Sequence, residues 1–245
     1  MSDETTPTKV AALDAVVFDT PDTRAAAEFW RELTGGEVAE GYGGDWIDVH
    51  TPDGWKLAFQ PAPDLVAPRW PGQEHPQQLH LDLRVPDVAA AVERAVGLGA
   101  TVLRENPEWT TLADPAGHPF DLCHAADNDG LTVMGVTFDV PDASAAAAFW
   151  SGVLGDPVVY DAEGMAMLGG AKALLFQQVE GYRPPRWPDP AHPQQLHLDL
   201  VIGPQSLDEA ERAALDVGAE RLPGDGDTFR VFADPAGHPF CLCRS

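Results

Sequence analysis

The stretch Gln77–Leu83, QQLHLDL, recurs unchanged at Gln194–Leu200, and its reading decides the fold. Leucine alternates with His or Asp in each copy, the two-residue period of a strand whose faces differ. Leu79, Leu81 and Leu83 are assigned to a core, with His80 and Asp82 on the opposite, open face. Leu196, Leu198 and Leu200 repeat this, opposite His197 and Asp199. RWP precedes each copy (Arg69–Pro71, Arg186–Pro188) and ADPAGHPF follows (Ala113–Phe120, Ala233–Phe240). Upstream, Phe18-Asp19 and Phe29-Trp30 return as Phe138-Asp139 and Phe149-Trp150. Outer landmarks lie 120 residues apart and inner ones 117. This is a tandem duplication.

Each repeat reads as two cycles of strand, helix and three strands. Leu13–Asp19 is the first strand, and Asp22 caps a helix over Thr23–Thr34 that buries Ala26, Phe29, Trp30 and Leu33 at helical spacing. Gly35-Gly36 ends it, and strands follow near Glu37–Tyr42, Trp46–Thr51 and Trp55–Gln60. A Pro-rich connector, Pro61–Pro76, carries Trp70 into the strand Gln77–Val85. The helix Val88–Leu98 and strands near Thr101–Glu105, Trp109–Ala113 and Pro119–His124 complete the repeat. The domains are placed at 12–125 and 133–243 with a linker at 126–132, and residues 1–11 form a polar tail.

A chain of 245 residues can hold two such cores. Its net charge of −24 repels phosphate backbones and argues against nucleic acid as a partner. No apolar run reaches the ~18–20 residues that span a bilayer. The start, MSDETTPTK, lacks the basic and apolar regions of an export signal, and three cysteines make no disulfide framework. The expected compartment is the cytoplasm. There is no G-x-S-x-G elbow, P-loop or dinucleotide fingerprint.

Paired βαβββ units with an aromatic pair late in the first helix and the phrasing WP…QQLHLDL…DPAGHPF resemble the vicinal oxygen chelate superfamily, and its glyoxalase-like domains in particular. The likeness runs from about residue 12 to 243, twice. It implies an α+β fold, with two tandem glyoxalase-like domains, each a pair of βαβββ modules curled into a cup-shaped mixed sheet with helices outside. It also implies a pseudo-dimer within one chain, and leaves a homodimer open. Metal-dependent members take ligands from the first and last strands of each module. Carried over, those positions are Ala15, Ala58, His80 and Asp121 in the first repeat, and Gly135, Leu175, His197 and Cys241 in the second. Half are apolar, so the expectation is no obligatory metal; a divalent ion, if bound, would sit on His80 and Asp121. Cys241 and Cys243 share one strand face, and with His197 they would suit zinc, although two small buried side chains is the plainer reading.

The expected activity is binding of a small, partly aromatic molecule in the cup of the first repeat, akin to bleomycin-resistance proteins. Trp46, Trp70 and Trp109 would provide stacking surface and Gln60 a polar contact, with His80, Asp82 and Asp121 as the reactive or orienting groups. His197 and Asp199 are the second repeat's counterparts, where Met165 and Phe229 approximately replace Trp46 and Trp109. The alternative is an enzyme, a lyase, isomerase or cyclase, in which His80 is acid or base and Asp82 or Asp121 orients it. His118 and His238 are assigned to surface turns, and Trp30 and Trp150 to the core.

Overall fold

A computed structural model describes residues 9–244 except 42, 44, 190–193 and 225. Tyr42 therefore falls outside the described residues. The first module comprises β1 (Ala11–Thr20), α1 (Thr23–Thr34), β2 (Glu37–Glu40), β3 (Ile47–His50) and β4 (Lys56–Pro61). The second has β5 (Leu79–Val85), α2 (Val88–Gly97), β6 (Thr101–Glu105), β7 (Trp109–Ala113) and β8 (Pro119–His124). The third has β9 (Thr132–Val140), α3 (Ala143–Leu154), β10 (Val158–Ala162), β11 (Met165–Leu168) and β12 (Ala173–Gln178). The fourth has β13 (Leu196–Ile202), α4 (Leu207–Asp216), β14 (Glu220–Arg221), β15 (Phe229–Ala233) and β16 (Pro239–Cys243).

Local chemistry fixes these ends. Asp22 accepts the Ala25 N–H at 2.9 Å to start α1, and Gly35, at φ 72°, closes it by donating to the Arg31 carbonyl. Asp142 and Gly155 do the same for α3. The tail is shorter than expected. Ala11 already belongs to β1, and the buried Val10 donates its N–H to the Val153 carbonyl at 2.9 Å.

Among the described residues sixteen strands form two eight-stranded sheets, ordered β14-β15-β16-β13-β1-β4-β3-β2 and β10-β11-β12-β9-β5-β8-β7-β6. The fold is α+β, with two modules to each sheet as expected. The partners, however, cross the repeats. β1 pairs antiparallel with β13, and β5 with β9, so module one shares a sheet with module four and module two with module three. Connector length accounts for this. Residues 125–131 between β8 and β9 are short and hold both strands in one sheet, flanking β5. Residues 62–78 and 179–195 are long enough to carry the chain from one sheet to the other.

One continuous core joins the sheets through the helices. The fully buried Trp30 of α1 meets Phe18 of one sheet at 5.3 Å and Phe120 of the other at 5.2 Å, and Trp150 of α3 repeats this with Phe138 and Phe240. Both indoles are core, as the spacing predicts. The placement of His118 and His238 in surface turns is corrected, because they are 1% and 0% exposed. Each DPAGH turn is anchored beneath a helix. Asp114 accepts Nε1–H of Trp30 at 3.1 Å and the backbone N–H groups of Ala116 and His118, while Nδ1 of His118 lies 3.1 Å from its carboxylate. Asp234, Trp150 and His238 repeat the arrangement.

Candidate functional site

On β5, Leu79, Leu81 and Leu83 join the core and His80 and Asp82 face the other way, as the alternation predicts. That second face is enclosed rather than open: His80 is 5% exposed and Asp82 8%. Register then assembles the cup. Asp82 has Asp121 of β8 on one side and Gly135 of β9 on the other, and His80 stands beside Thr137. The result is a cavity of about 420 Å³. Trp70, Trp109, Met165 and Leu175 form its apolar wall, and Arg104 lies over the Trp70 ring at 4.5 Å.

His80, Asp82 and Asp121 therefore come together, with Trp70 and Trp109 beside them. Trp46 and Gln60 do not join them, and their assignment to this cup is corrected. They belong to module one, whose sheet carries His197. Gln60 donates to Asp19, and Trp46 donates from Nε1 to Asp48 Oδ1 at 2.8 Å. The places expected for them beside His80 are taken by Gln177 and Met165 of module three. Thr137, Leu175, Gln177 and Met165 are hidden as residues of this cup while the repeat is taken as its unit; the short 125–131 connection is the signal that finds them.

The base of the His80 cup is rich in carboxylates. Asp82 receives the Thr137 hydroxyl on Oδ2 and the Cys123 thiol on Oδ1 at 3.7 Å. Asp139 accepts from Gln77 at 3.0 Å and Gln177 at 2.6 Å. Burial raises the carboxyls of Asp121 and Asp139 above the usual carboxylate range, although the charge of His80 works against it. Burial, with the charges of Asp82 and Asp121, also pushes the Cys123 thiol upward. Nε2 of His80 lies 3.8 Å from Oδ2 of both Asp82 and Asp121, beyond hydrogen-bond reach. Three buried atoms of cavity-lining residues have no protein partner: His80 Nδ1, Asn106 Nδ2 and Asp121 Oδ1.

The other cup contains a smaller cavity, about 250 Å³, bordered by Trp46, His197, Asp199, Phe229 and Cys241. Nε2 of His197 is 3.4 Å from Asp199. Burial opposes a charged imidazole there, but the hydrogen bond and charge of Asp199 outweigh it and raise the His197 value. Each cup thus has one module-borne Trp, Trp109 in one and Trp46 in the other. Trp187, unlike Trp70, lies against the Gly224 backbone.

Neither cup offers the four ligand positions of the metal-dependent relatives. In the His80 cup, two of those positions are Gly135 and Leu175, and a Cβ on residue 135 would stand 2.5 Å from Leu175 Cδ1 and 2.7 Å from the Ala173 carbonyl oxygen. In the His197 cup they are Ala15 and Ala58, buried in an apolar cluster with Val17. His80, Asp82 and Asp121 can still bring one donor atom each within 4.8 Å of one another, but all from module two. A four-ligand centre does not fit these residues.

The model of the glyoxalase-like domain family matches residues 15–123 and again 135–243. No curated protein matches the chain. Among solved structures, glyoxalase I from Zea mays superposes with a TM-score of 0.63 at 16% identity, over 95% of this chain and 92% of that one. A presumed dioxygenase from Bacillus subtilis gives 0.66 at 12% identity, over 97% and 86%. The cppA protein of Streptococcus pneumoniae gives 0.54 at 11%, over 96% and 99%. At such identities the likeness is one of fold.

Proposed function

The chain belongs to the glyoxalase-like domain family of the vicinal oxygen chelate superfamily, twice over, and from that premise we propose that its His80 cup binds a small, partly aromatic molecule bearing a basic nitrogen, without an obligatory metal. One observation carries the reading. His80 Nδ1, Asn106 Nδ2 and Asp121 Oδ1 are buried without protein partners in residues lining an aromatic-walled cavity. Buried polar atoms are costly when unpaired, so a site that leaves three together is built to pair them with something else. Trp109 and Trp70 offer the flat surface, and the carboxylates of Asp82, Asp121 and Asp139 outnumber the one imidazole at the base. Arg104 is held on Trp70.

Binding rather than turnover is favoured by the same geometry. A histidine base works when a second group fixes its ring, and neither Asp82 nor Asp121 is within hydrogen-bond distance of Nε2. The protein then acts by sequestration, in the cytoplasm, where its three free cysteines stay reduced. No described helix is long and apolar enough to cross a membrane.

The test is a fluorescence screen, read through tryptophan, of aromatic amines against uncharged isosteres and aromatic carboxylates. Amines should bind best, Asp121→Asn and His80→Ala should weaken them, and His197→Ala should not. Tighter binding of the carboxylates overturns the reading. Consumption of a bound amine, abolished by His80→Ala, would support the enzyme instead.

A further inference from the structure

The floor of the His80 cup gathers carboxylates, and its edge at β6 gathers unpaired donors. Arg104 on β6 and Asn106 just beyond it both line the cavity. Asn106 is anchored by its backbone N–H, which donates to the Trp109 carbonyl at 2.9 Å, and its buried Nδ2 has no partner. Among the described residues the Arg104 guanidinium makes no ion pair and no hydrogen bond; it lies over the Trp70 ring. The chain has 39 acidic and 15 basic side chains, yet this cation, in a cavity rich in carboxylates, is kept off all of them.

Register and Trp70 together hold the charges apart. Arg104, Thr111, Asp121 and Asp82 stand side by side on β6, β7, β8 and β5. Neighbouring strands are about 4.8 Å apart, which separates the backbones of Arg104 and Asp121 by roughly 10 Å, with Thr111 between them. The contact with Trp70 steadies the guanidinium and leaves its N–H donors free. A planar fork of donors matches a carboxylate. Across the floor, Asp121 offers its unpartnered Oδ1 to a group of the opposite sign. Both ends are missing together from the other cup. Gly226, bonded to the Phe229 carbonyl, replaces Asn106; Leu222, bonded to Val231, replaces Arg104; and Cys241 replaces Asp121.

We propose that Arg104 and Asn106 form a carboxylate subsite, so that the molecule taken by the His80 cup is an aromatic zwitterion, with its acid group on Arg104 and its basic nitrogen on Asp121. The inference rests on the basic-nitrogen reading of this cup and adds the second charge to it. Arg104, Asn106 and Trp70 all lie outside the ligand positions of the metal-dependent relatives. The aromatic ring spans the floor between the two charged ends, against Trp109. Arg104 thereby becomes the residue that tells a zwitterion from a simple amine.

Calorimetric titration of the full-length protein with three matched probes tests this: para-aminomethylbenzoate, para-aminomethylbenzamide and para-methylbenzoate. The zwitterion should bind roughly 10–100-fold tighter than the benzamide, the scale of charge-assisted hydrogen bonds. Arg104→Gln should remove that preference, and Asp121→Asn should weaken both nitrogen-bearing probes. Equal affinity of zwitterion and benzamide in unaltered protein, a comparison that needs no variant, overturns the inference and leaves the basic-nitrogen reading standing. A preference that survives in Arg104→Gln overturns it as well. Should para-methylbenzoate bind as tightly as the zwitterion and depend on Arg104, the basic-nitrogen reading falls and the carboxylate subsite stands. Binding of none of the three at millimolar concentration overturns both.

Discussion

Gln78 and Gln195, 117 residues apart, exchange hydrogen bonds reciprocally. Each donates its backbone N–H to the other's side-chain oxygen, at 3.2 and 3.1 Å. The pair marks the pseudo-two-fold relation between the repeats. Their neighbours cross it too, since Gln77 donates to Asp139 and Gln194 to Asp19, both at 3.0 Å. The doubled glutamine of QQLHLDL is therefore not strand at all. Its second member joins the repeats and its first braces an acidic residue in the floor of the other repeat's module.

Replacing Gln195 by alanine removes the acceptor for a buried N–H and the donor to the Pro76 carbonyl. An unpaired buried amide costs about 1–3 kcal/mol, so Gln195→Ala should lower the unfolding free energy by that much, read as a lower urea midpoint at unchanged slope. Both repeats should still unfold in one transition, because the core is continuous. Two separate transitions would contradict the shared core.

The first repeat alone, residues 12–125, should not be a stable monomer. It would expose the β1 edge that pairs with β13 and the β5 edge that pairs with β9. A second copy can satisfy both edges, because β5 and β13 share LHLDL. Sedimentation of this fragment should show a dimer, and a folded monomer would show that the cross-repeat pairing is dispensable.

What the sequence makes legible is whatever is decided locally. The ends of α1 follow from Asp22 and Gly35, and the facing of β5 from Leu79, Leu81 and Leu83. The choice of sheet partner is not local. β1 meets the same LHLDL whether it pairs with β5 or β13, and only connector length separates the two. Trp46 and Trp109 accordingly border different cups, not the one cup that the repeat suggests. His118 looks like a turn residue until the Trp30 indole bonds Asp114, 84 residues away in sequence, and Phe18 packs edge-on to the His118 ring.

Gly135 is the point where a lost ligand cannot simply be put back. Its added Cβ would meet the Ala173 carbonyl oxygen at 2.7 Å, which is backbone and cannot turn aside. Gly135→His should destabilise the protein by the ~1–3 kcal/mol of an overpacked site, or more, without creating a metal centre. Unfolding with and without added nickel checks both parts; a raised midpoint with nickel would show that the strand can yield.

Asp114 and His118 give stability a pH dependence with a definite sign. Burial would raise the Asp114 carboxyl, but the charge and hydrogen bonds of His118 hold it below the usual range; burial would lower His118, but Asp114 raises it. The carboxylate's contribution is present above its unfolded value of ~3.9 and lost as pH falls through the lower folded one. The imidazole's is full below its unfolded value of ~6.5 and lost as pH rises through the higher folded one. Asp114→Asn should therefore cost most between those values, about 3–5 kcal/mol as for any broken buried ion pair, and flatten the alkaline decline. Urea midpoints across a pH series test this.

Asp121 should set the acid limit of ligand binding. Its carboxyl titrates above the ordinary ~3.9 because burial disfavours the charged form. Charged, it attracts a basic nitrogen and accepts its hydrogen bond through the unpartnered Oδ1; protonated, it loses the attraction. Affinity for an aromatic amine should therefore fall as pH drops through the raised value, earlier than an exposed aspartate would allow. Folding runs the opposite way, since protonation relieves the penalty of burying the charge, so weaker binding at mildly acid pH cannot be put down to this group unfolding the protein. Asp121→Asn should bind the amine weakly at every pH, with this acid step removed. Titrations followed by tryptophan fluorescence on both proteins decide the matter. An identical acid step in the variant would move the responsible group to Asp139, whose carboxyl burial also raises.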